Sequence, residues 1–547
     1  MSRTWHMSAL IAAAALAAYP ATAQAPSRPM VTPQPNPDAT IQPYVTTYAP
    51  GPSRDQLIAQ LRSKVKYVFV IFNENHSFDN EFGTFPGANG LFSDGQAPRD
   101  AAHTPGFEQS YTDGNGQKVT LHPFRIGPDQ NATVVDSVDH SHTGLAKKLD
   151  VQNGQPTMDG FAAEEYERFA SKGGPANVAM GTQYARLVMS YIDCDTIPFF
   201  WQYANRFTLF DNIFATEDTP STPNAVAMIA GQSGETQWVK HGSDGGHFVV
   251  SNHAGTTQGP PLVNDPQPFY GSQFDTTIVG RQPDSPSEFY GDGNIATNLT
   301  FASLPLTFAG GKIADIMKQD RAPARDLPDI QRDIPFIAAG HATAVNWRWY
   351  QEGYDHEPTD ATGVATHASY VSHHQGPQYF GYVANNPGMD GHLRGIGDLF
   401  DDLASGNFPV GGGVFYIRGG FTNVSGLKPP IQNANFPAAL TQADKNAIAK
   451  AKSGDDDHPG YTDRQISEAM AARVINAIAS RPDIWNQSAI VITYDESDGF
   501  YDHVVPRILS YGPDGLPLAR GIRIPMLVIS PYARAHRFRT PRATTTR

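Results

Sequence analysis

Cysteine is almost missing from this sequence. Cys194 is the only one, so no internal disulfide can form. No activating base lies beside it in the sequence, so it reads as a small core residue rather than a reactive thiol. Positive charge is scarce as well: 40 Lys and Arg face 54 Asp and Glu, a formal net charge of −14. That balance excludes non-specific nucleic-acid binding, which runs on Lys and Arg contacts to phosphates. No stretch has the length of a transmembrane helix. The apolar run Ser8–Tyr19 is too short to span a bilayer.

Glycine (50) and proline (44) are abundant in the 547 residues, and 40% of the chain is hydrophobic. A globular α/β scaffold with long loops fits these proportions. The N-terminus reads as a secretion signal: Arg3, then "SALIAAAALAAY", then the small-residue site Ala21–Ala23, with Ala23–Ala25 as a second cleavage option. Residues 1–23 are therefore set apart as a signal peptide, which places the mature protein in the periplasm or outside the cell. Residues 24–55, rich in Pro, Thr and Gln, read as an extended linker.

The main domain is expected over residues 56–533. "RDQLIAQLRSK" has the look of a short helix. "YVFVIF", "VFYI" (Val414–Ile417), "AIVIT" (Ala489–Thr493) and "IPMLVIS" (Ile524–Ser530) are nearly continuous apolar runs, as in strands buried on both faces. The pattern at Thr462–Ser480 predicts a helix between two of them. Strands alternating with helices predict a mixed sheet with helices on both faces. Residues 232–340, rich in Gly, Pro, Asn and Asp, read as an insertion or cap. Residues 534–547 form a basic, irregular tail. "NWRWYQEGY" (Asn346–Tyr354) could line a pocket for a choline-like cation, but a core strand is the stronger reading.

Two of the buried strands end in hard oxygen ligands. "YVFVIF" runs into Asn73, Glu74, Asn75 and His76; "AIVITY" runs into Asp495 and Glu496. Ligands of open α/β sheets bind at carboxyl strand ends, and converging carboxylates call for a cation. Solvated loop acids are the plain alternative for either site alone. In "ATEDTPSTPNAVAMIAGQSG", Pro220 and Pro223 predict a rigid turn and Asn224 opens an apolar helix. Ser221 then sits just before a helix N-terminus, as an N-cap or as a nucleophile in a phosphate-binding position. Histidines cluster at His140 and His142, His373 and His374, His458 and His503. Each one alone is more often structural. As a set they suit phosphate chemistry, because imidazoles donate to phosphate oxygens and protonate leaving groups.

"VFVIFNENHSFDNEFGTFPG" (Val68–Gly87), "DHSH" (139–142), "MDGF" (158–161), "PSTPN" (220–224), "SHHQGPQYF" (372–380), "DDDHPG" (455–460), "YDESDGFYDHVVP" (494–506) and "GIRIPMLVISPYA" (521–533) occur in that order. Together they resemble the bacterial phosphoesterase family of phosphatidylcholine-preferring phospholipases C and respiratory-burst-inhibiting acid phosphatases. The resemblance implies an alkaline-phosphatase-like α/β core with a loop-rich cap. It also implies one divalent metal held by Glu74, Asn75, Ser221, Asp495 and Glu496. Oxygen ligation favours Mg, Ca or Mn, with Fe or Zn as remaining options. Ser221 matches the family nucleophile, which forms a phosphoserine. His374, His458 and either His140 or His142 match catalytic histidines, and His373 and His503 fall within substrate-binding motifs. The "DHSH" form leans toward phosphate monoesters and the acid phosphatases rather than toward phospholipids. Past "SPYA" the chain departs from the family pattern, which keeps open an inactive, truncated phosphate-binding homologue. A phosphate-ester small molecule or a phospholipid is the expected partner, with the oligomeric state undetermined.

Overall fold

The computed structural model describes residues 53–93, 97–130, 132–233, 265, 268, 298–355, 369–421, 454–512, 515–534 and 537–538. The expected signal peptide (1–23) and nearly all of the linker (24–55) lie outside the described residues. The central sheet has eight strands: β1 (Tyr67–Asn73), β2 (Thr208–Phe210), β3 (Trp347–Gln351), β4 (Leu393–Gly395), β5 (Gly413–Arg418), β6 (Ser488–Tyr494), β7 (Met526–Ile529) and β8 (Arg537–Phe538). Their spatial order is β4-β3-β5-β1-β6-β7-β2-β8. The apolar run at Tyr67 forms the middle of the sheet, parallel to β5 on one side and β6 on the other. Of the eight, β7 alone runs against its neighbours. Arg537–Phe538, inside the expected irregular tail, pairs in parallel with β2 at the edge.

The seven helices used below are α1 (Arg54–Lys64), α2 (His142–Leu149), α3 (Phe161–Ala170), α4 (Pro198–Arg206), α5 (Ser221–Ala230), α6 (Ile396–Ser405) and α7 (Arg464–Ala479). On one face of the sheet Phe69 and Ile71 of β1 and Phe415 of β5 pack with Trp201 of α4, Leu399 of α6 and Val474 of α7. On the other face Val70 and Phe72 meet Val226 of α5, Trp349 and Tyr379. Alternate residues of one strand therefore enter two different cores. This is why the strand reads as continuously apolar rather than alternating. Each such side chain contributes about 1.5–3 kcal/mol of burial.

Trp347–Gln351 is a core strand, with Trp347 and Trp349 buried. Of residues 232–340, expected as an insertion or cap, the described part includes the helices Leu304–Ala309 and Ile313–Met317. These place Leu306, Ile313 and Met317 in the second core beside Val226. Cys194 is buried, and burial pushes its thiol up to about 12, as suits an inert core residue.

Candidate active site

In the pairing of β1 with β6, Asn73 sits opposite Tyr494. The next residues, Glu74 and Asp495, therefore leave the sheet at the same edge. The Asp495 N–H donates to the Asn73 carbonyl at 3.1 Å, which fixes the two exits together. Asn75 adopts φ 51°, a left-handed turn that Asn tolerates better than most residues. The third adjacent strand, β5, ends at Arg418 on the other side of β1. All four side chains are buried.

Ser221 reaches this edge from the second core. Its helix begins at Ser221 itself, not at Asn224 as the sequence predicted. Pro220 occupies the cap position, and Pro223 is accommodated because first-turn N–H groups have no helical partner. Ser221 is consequently the first residue of α5 rather than its side-chain cap. Asn224 instead locks the preceding turn: its Oδ1 accepts from Glu217 N and its Nδ2 reaches the Glu217 carbonyl at 3.2 Å and Thr219 Oγ1 at 3.2 Å. The Ser221 hydroxyl then donates to Glu74 Oε2 at 3.0 Å, with Asn75 Oδ1 at 3.3 Å. The next N–H of the helix, that of Thr222, is taken by the Asp265 carboxylate at 2.8 Å.

The charges around Ser221 do not balance within the protein. Burial pushes the Asp495 carboxyl up, opposed by Arg418, and pushes Glu496 and Asp456 well above the carboxylate range. Arg418 contacts Glu74 directly and lies 3.4 Å from Asp495. Glu74 Oε1, Asn75 Nδ2 and Glu496 Oε1 are buried without a hydrogen bond. The buried carboxylate oxygens of Glu74 and Glu496, with the amide oxygen of Asn75 beside Ser221 Oγ, are a donor set that fits a hard divalent cation. Of the five expected ligands, Glu74, Asn75 and Ser221 are in mutual reach. Glu74, Asp495 and Glu496 do not form a tight trio. Among the described residues, Glu74 gathers more closely with His374 and Asp456. His374 Nδ1 is 3.0 Å from Glu74 Oε1, close enough to pair but not aligned as a hydrogen bond.

A chain of imidazoles runs alongside. His373 stacks edge-on against His374 at 4.2 Å, His374 lies parallel to His458 at 6.4 Å, and His458 meets His140 at 5.7 Å. The group thus takes in His140 from the "DHSH" pair. His142 turns its Nδ1 to the Asp218 carbonyl at 3.0 Å, behind the turn that leads to Ser221. His503 belongs to a separate buried network, with its Nδ1 on Asp79 and Arg523 bridging Asp79 and Asp502.

Burial pushes the His373, His374 and His458 imidazoles down, so they act as neutral hydrogen-bonding groups. Burial would also lower His140. The carboxyls of Glu496 and then Asp498, the latter 3.0 Å from Nδ1, override it and hold His140 well above its usual range. Positive charge at the site therefore comes from Arg418 and His140 rather than from the histidines as a group. Sequence reasoning missed Arg418, although it ends a strand one residue past the apolar run "VFYI", the same position that singled out Glu74 and Asp495. It also missed Asp456, Asp498 and Asp265. Asp265 lies in a stretch whose sequence carries no periodic signal.

The model of the family described as Phosphoesterase family matches residues 65–540. The chain belongs to that family. It is similar to a non-hemolytic phospholipase C of Burkholderia pseudomallei, at 23% identity over 493 residues, covering 86% of this chain and 52% of that protein. A phospholipase C A of Mycobacterium tuberculosis is 22% identical over 519 residues, 89% of this chain and 71% of that protein. An Arabidopsis thaliana non-specific phospholipase C6 is 37% identical over 93 residues, 15% of this chain and 18% of that protein. The chain spans about half the length of the Burkholderia relative. No helix among the described residues is long and apolar enough to cross a membrane.

Proposed function

We propose that this protein is an exported, metal-dependent phosphoesterase that works through a phosphoserine at Ser221. The observation that carries the proposal is the placement of the Ser221 hydroxyl. It is buried at the first turn of a helix and held between Glu74 and Asn75 at the carboxyl end of the sheet.

Glu74, Asn75, Asp495 and Glu496 would hold the cation with Ser221, and His374 and Asp456 lie within reach of the same position. When bound, the cation supplies charge that favours the serine alkoxide and polarises a phosphoryl oxygen. Glu74 Oε2 accepts the hydroxyl hydrogen bond and aims Oγ at the substrate. The first turn of α5 and the neutral His373, His374 and His458 donate to phosphoryl oxygens. As Oγ bonds to phosphorus, its proton passes to Glu74 Oε2, the bond from phosphorus to the leaving oxygen breaks, and His140 delivers a proton to that oxygen. Asp498 keeps the His140 ring oriented for the transfer. Water then attacks the phosphoserine and gives a proton to His140, phosphate or a phosphomonoester leaves, and the proton on Glu74 returns to Oγ.

Phosphate monoesters are the proposed substrates, on the strength of the "DHSH" form, in which His142 stands where the phospholipases typically carry Trp. The names of the relatives favour a second reading, a phospholipase C acting on a phosphatidylcholine-type diester. Rates on an aryl phosphate and on a phosphocholine diester separate them. Diester turnover with negligible monoester turnover overturns the first reading. Ser221→Ala is expected to lower kcat by about 10³-fold or more, with loss of the phosphoenzyme trapped by acid quench. Unchanged activity rejects Ser221 as the nucleophile.

A further inference from the structure

Lys148 is fully buried on α2. An ammonium has three donors, and each finds an acceptor here. One goes to the Asp139 carbonyl, one to the Gly499 carbonyl at 3.1 Å and one to Glu165 Oε1 at 2.8 Å. Glu165, also fully buried on α3, uses the same Oε1 to accept the Asp139 N–H at 2.6 Å. Both peptide groups of Asp139 are thereby fixed, one by each partner of the ion pair. The carbonyl side of Asp139 is the peptide that leads into His140.

Gly499 closes the other strap. It ends the turn that carries Asp495, Glu496 and Asp498, and its φ is +73°. A Cβ at this position would stand 2.3 Å from the Asp139 carbonyl oxygen and 2.5 Å from Lys148 Nζ, so only glycine lets the two loops meet. Asp498 continues the junction, accepting from Val138 N at 2.8 Å and Ser137 Oγ at 2.8 Å while facing His140. Burying an unpaired ammonium is costly, and a hydrophobic side chain would fill the same space without that cost. What the ammonium adds is direction: it ties the His140 loop to the acid-bearing turn at fixed points.

We propose that the Lys148–Glu165 pair is a positioning device that sets His140 against the Asp495–Gly499 turn, so that proton delivery to the leaving oxygen depends on it. The inference rests on the reading of His140 as the proton donor. Leaving groups separate positioning from stability. An aryl leaving group departs with little need of a proton, whereas an alkyl leaving group needs one.

Lys148→Met is expected to lower kcat for an alkyl phosphate at least tenfold more than for an aryl phosphate. His140→Ala is expected to give the same bias, and Lys148→Met in the His140→Ala background to add none. Lys148→Arg is expected to recover part of the alkyl rate. If Lys148→Met does not fold, Glu165→Gln replaces it in the same cycle, because it removes the shared carboxylate. Equal losses on both substrates, or a further alkyl-specific loss on top of His140→Ala, overturn the positioning role. If His140→Ala itself shows no leaving-group bias, it is the proton-donor reading that fails.

Discussion

Arg418 offers the most direct test of how the site handles its buried acids. At 3.4 Å and an effective dielectric of about 20, the Arg418–Asp495 attraction is about 5 kcal/mol before desolvation is counted. Arg418 also contacts Glu74, and its guanidinium lies over the Phe72 ring at 4.5 Å. Arg418→Met keeps most of the packing and removes the charge. Breaking a buried pair by deleting one partner costs about 3–5 kcal/mol, because the other charge is left uncompensated. For a folded unit of this size the unfolding entropy is about 1 kcal/mol per degree, so Tm in EDTA falls by about 3–5 °C. The pH dependence has a definite sign. Burial already raises the Asp495 carboxyl, and the loss of Arg418 raises it further. A raised acid contributes stability at low pH that is lost as pH climbs through the folded value, so the deficit is larger at pH 8 than at pH 5. A divalent cation bound at these acids would take over the missing charge, so added Mg, Ca or Mn is expected to raise Tm more in the variant than in the parent. Scanning fluorimetry with EDTA or each metal at the two pH values reads all three effects. An unchanged or higher Tm in EDTA means that Arg418 is not the counter-charge of these acids.

Glu164 is pushed by burial to about 7, and its Oε2 has no hydrogen bond. The raised carboxyl contributes stability below its unfolded value near 4.5 and loses it as pH rises through about 7. Glu164→Gln should therefore raise Tm at pH 8 by about 1–2 °C, after allowing for the solvent the group still meets, and change little at pH 4.5; an equal shift at both pH values counts against it. The Asp265 carboxylate sits on the Thr222 N–H, where an oxygen of a phosphoryl group on Ser221 would bind. Asp265→Asn should tighten inhibition by inorganic phosphate by about tenfold, or ~1.4 kcal/mol, and weaker inhibition means that Asp265 does not compete for that position.

The sheet was legible because its strands are buried on two faces. A strand such as Tyr67–Asn73, feeding Phe69 to one core and Val70 to the other, has no room for a polar residue until it ends. The change from apolar to polar at Asn73 and Asp495 then marked the edge of the candidate site, and parallel pairing brought the two changes together. Arg418 follows the same rule and escaped notice only because the apolar run "VFYI" was closed one residue early. The start of α5 was misplaced because proline ordinarily reads as a turn, whereas at the first turn of a helix it costs nothing. What no local pattern could reveal is the second tier: Asp498 facing His140, Lys148 tying Asp139 to Gly499, Asp265 on Thr222. These contacts join segments far apart in the chain, and their residue types are common in loops. Their identity is set by what the first tier leaves unsatisfied. His140 has a carboxylate on one ring nitrogen, Asp139 has both peptide groups fixed, and the first N–H groups of α5 need an acceptor. Once the strand ends and Ser221 are placed, each of these groups calls for a partner of one chemical kind, and the fold supplies it from whichever loop passes within reach.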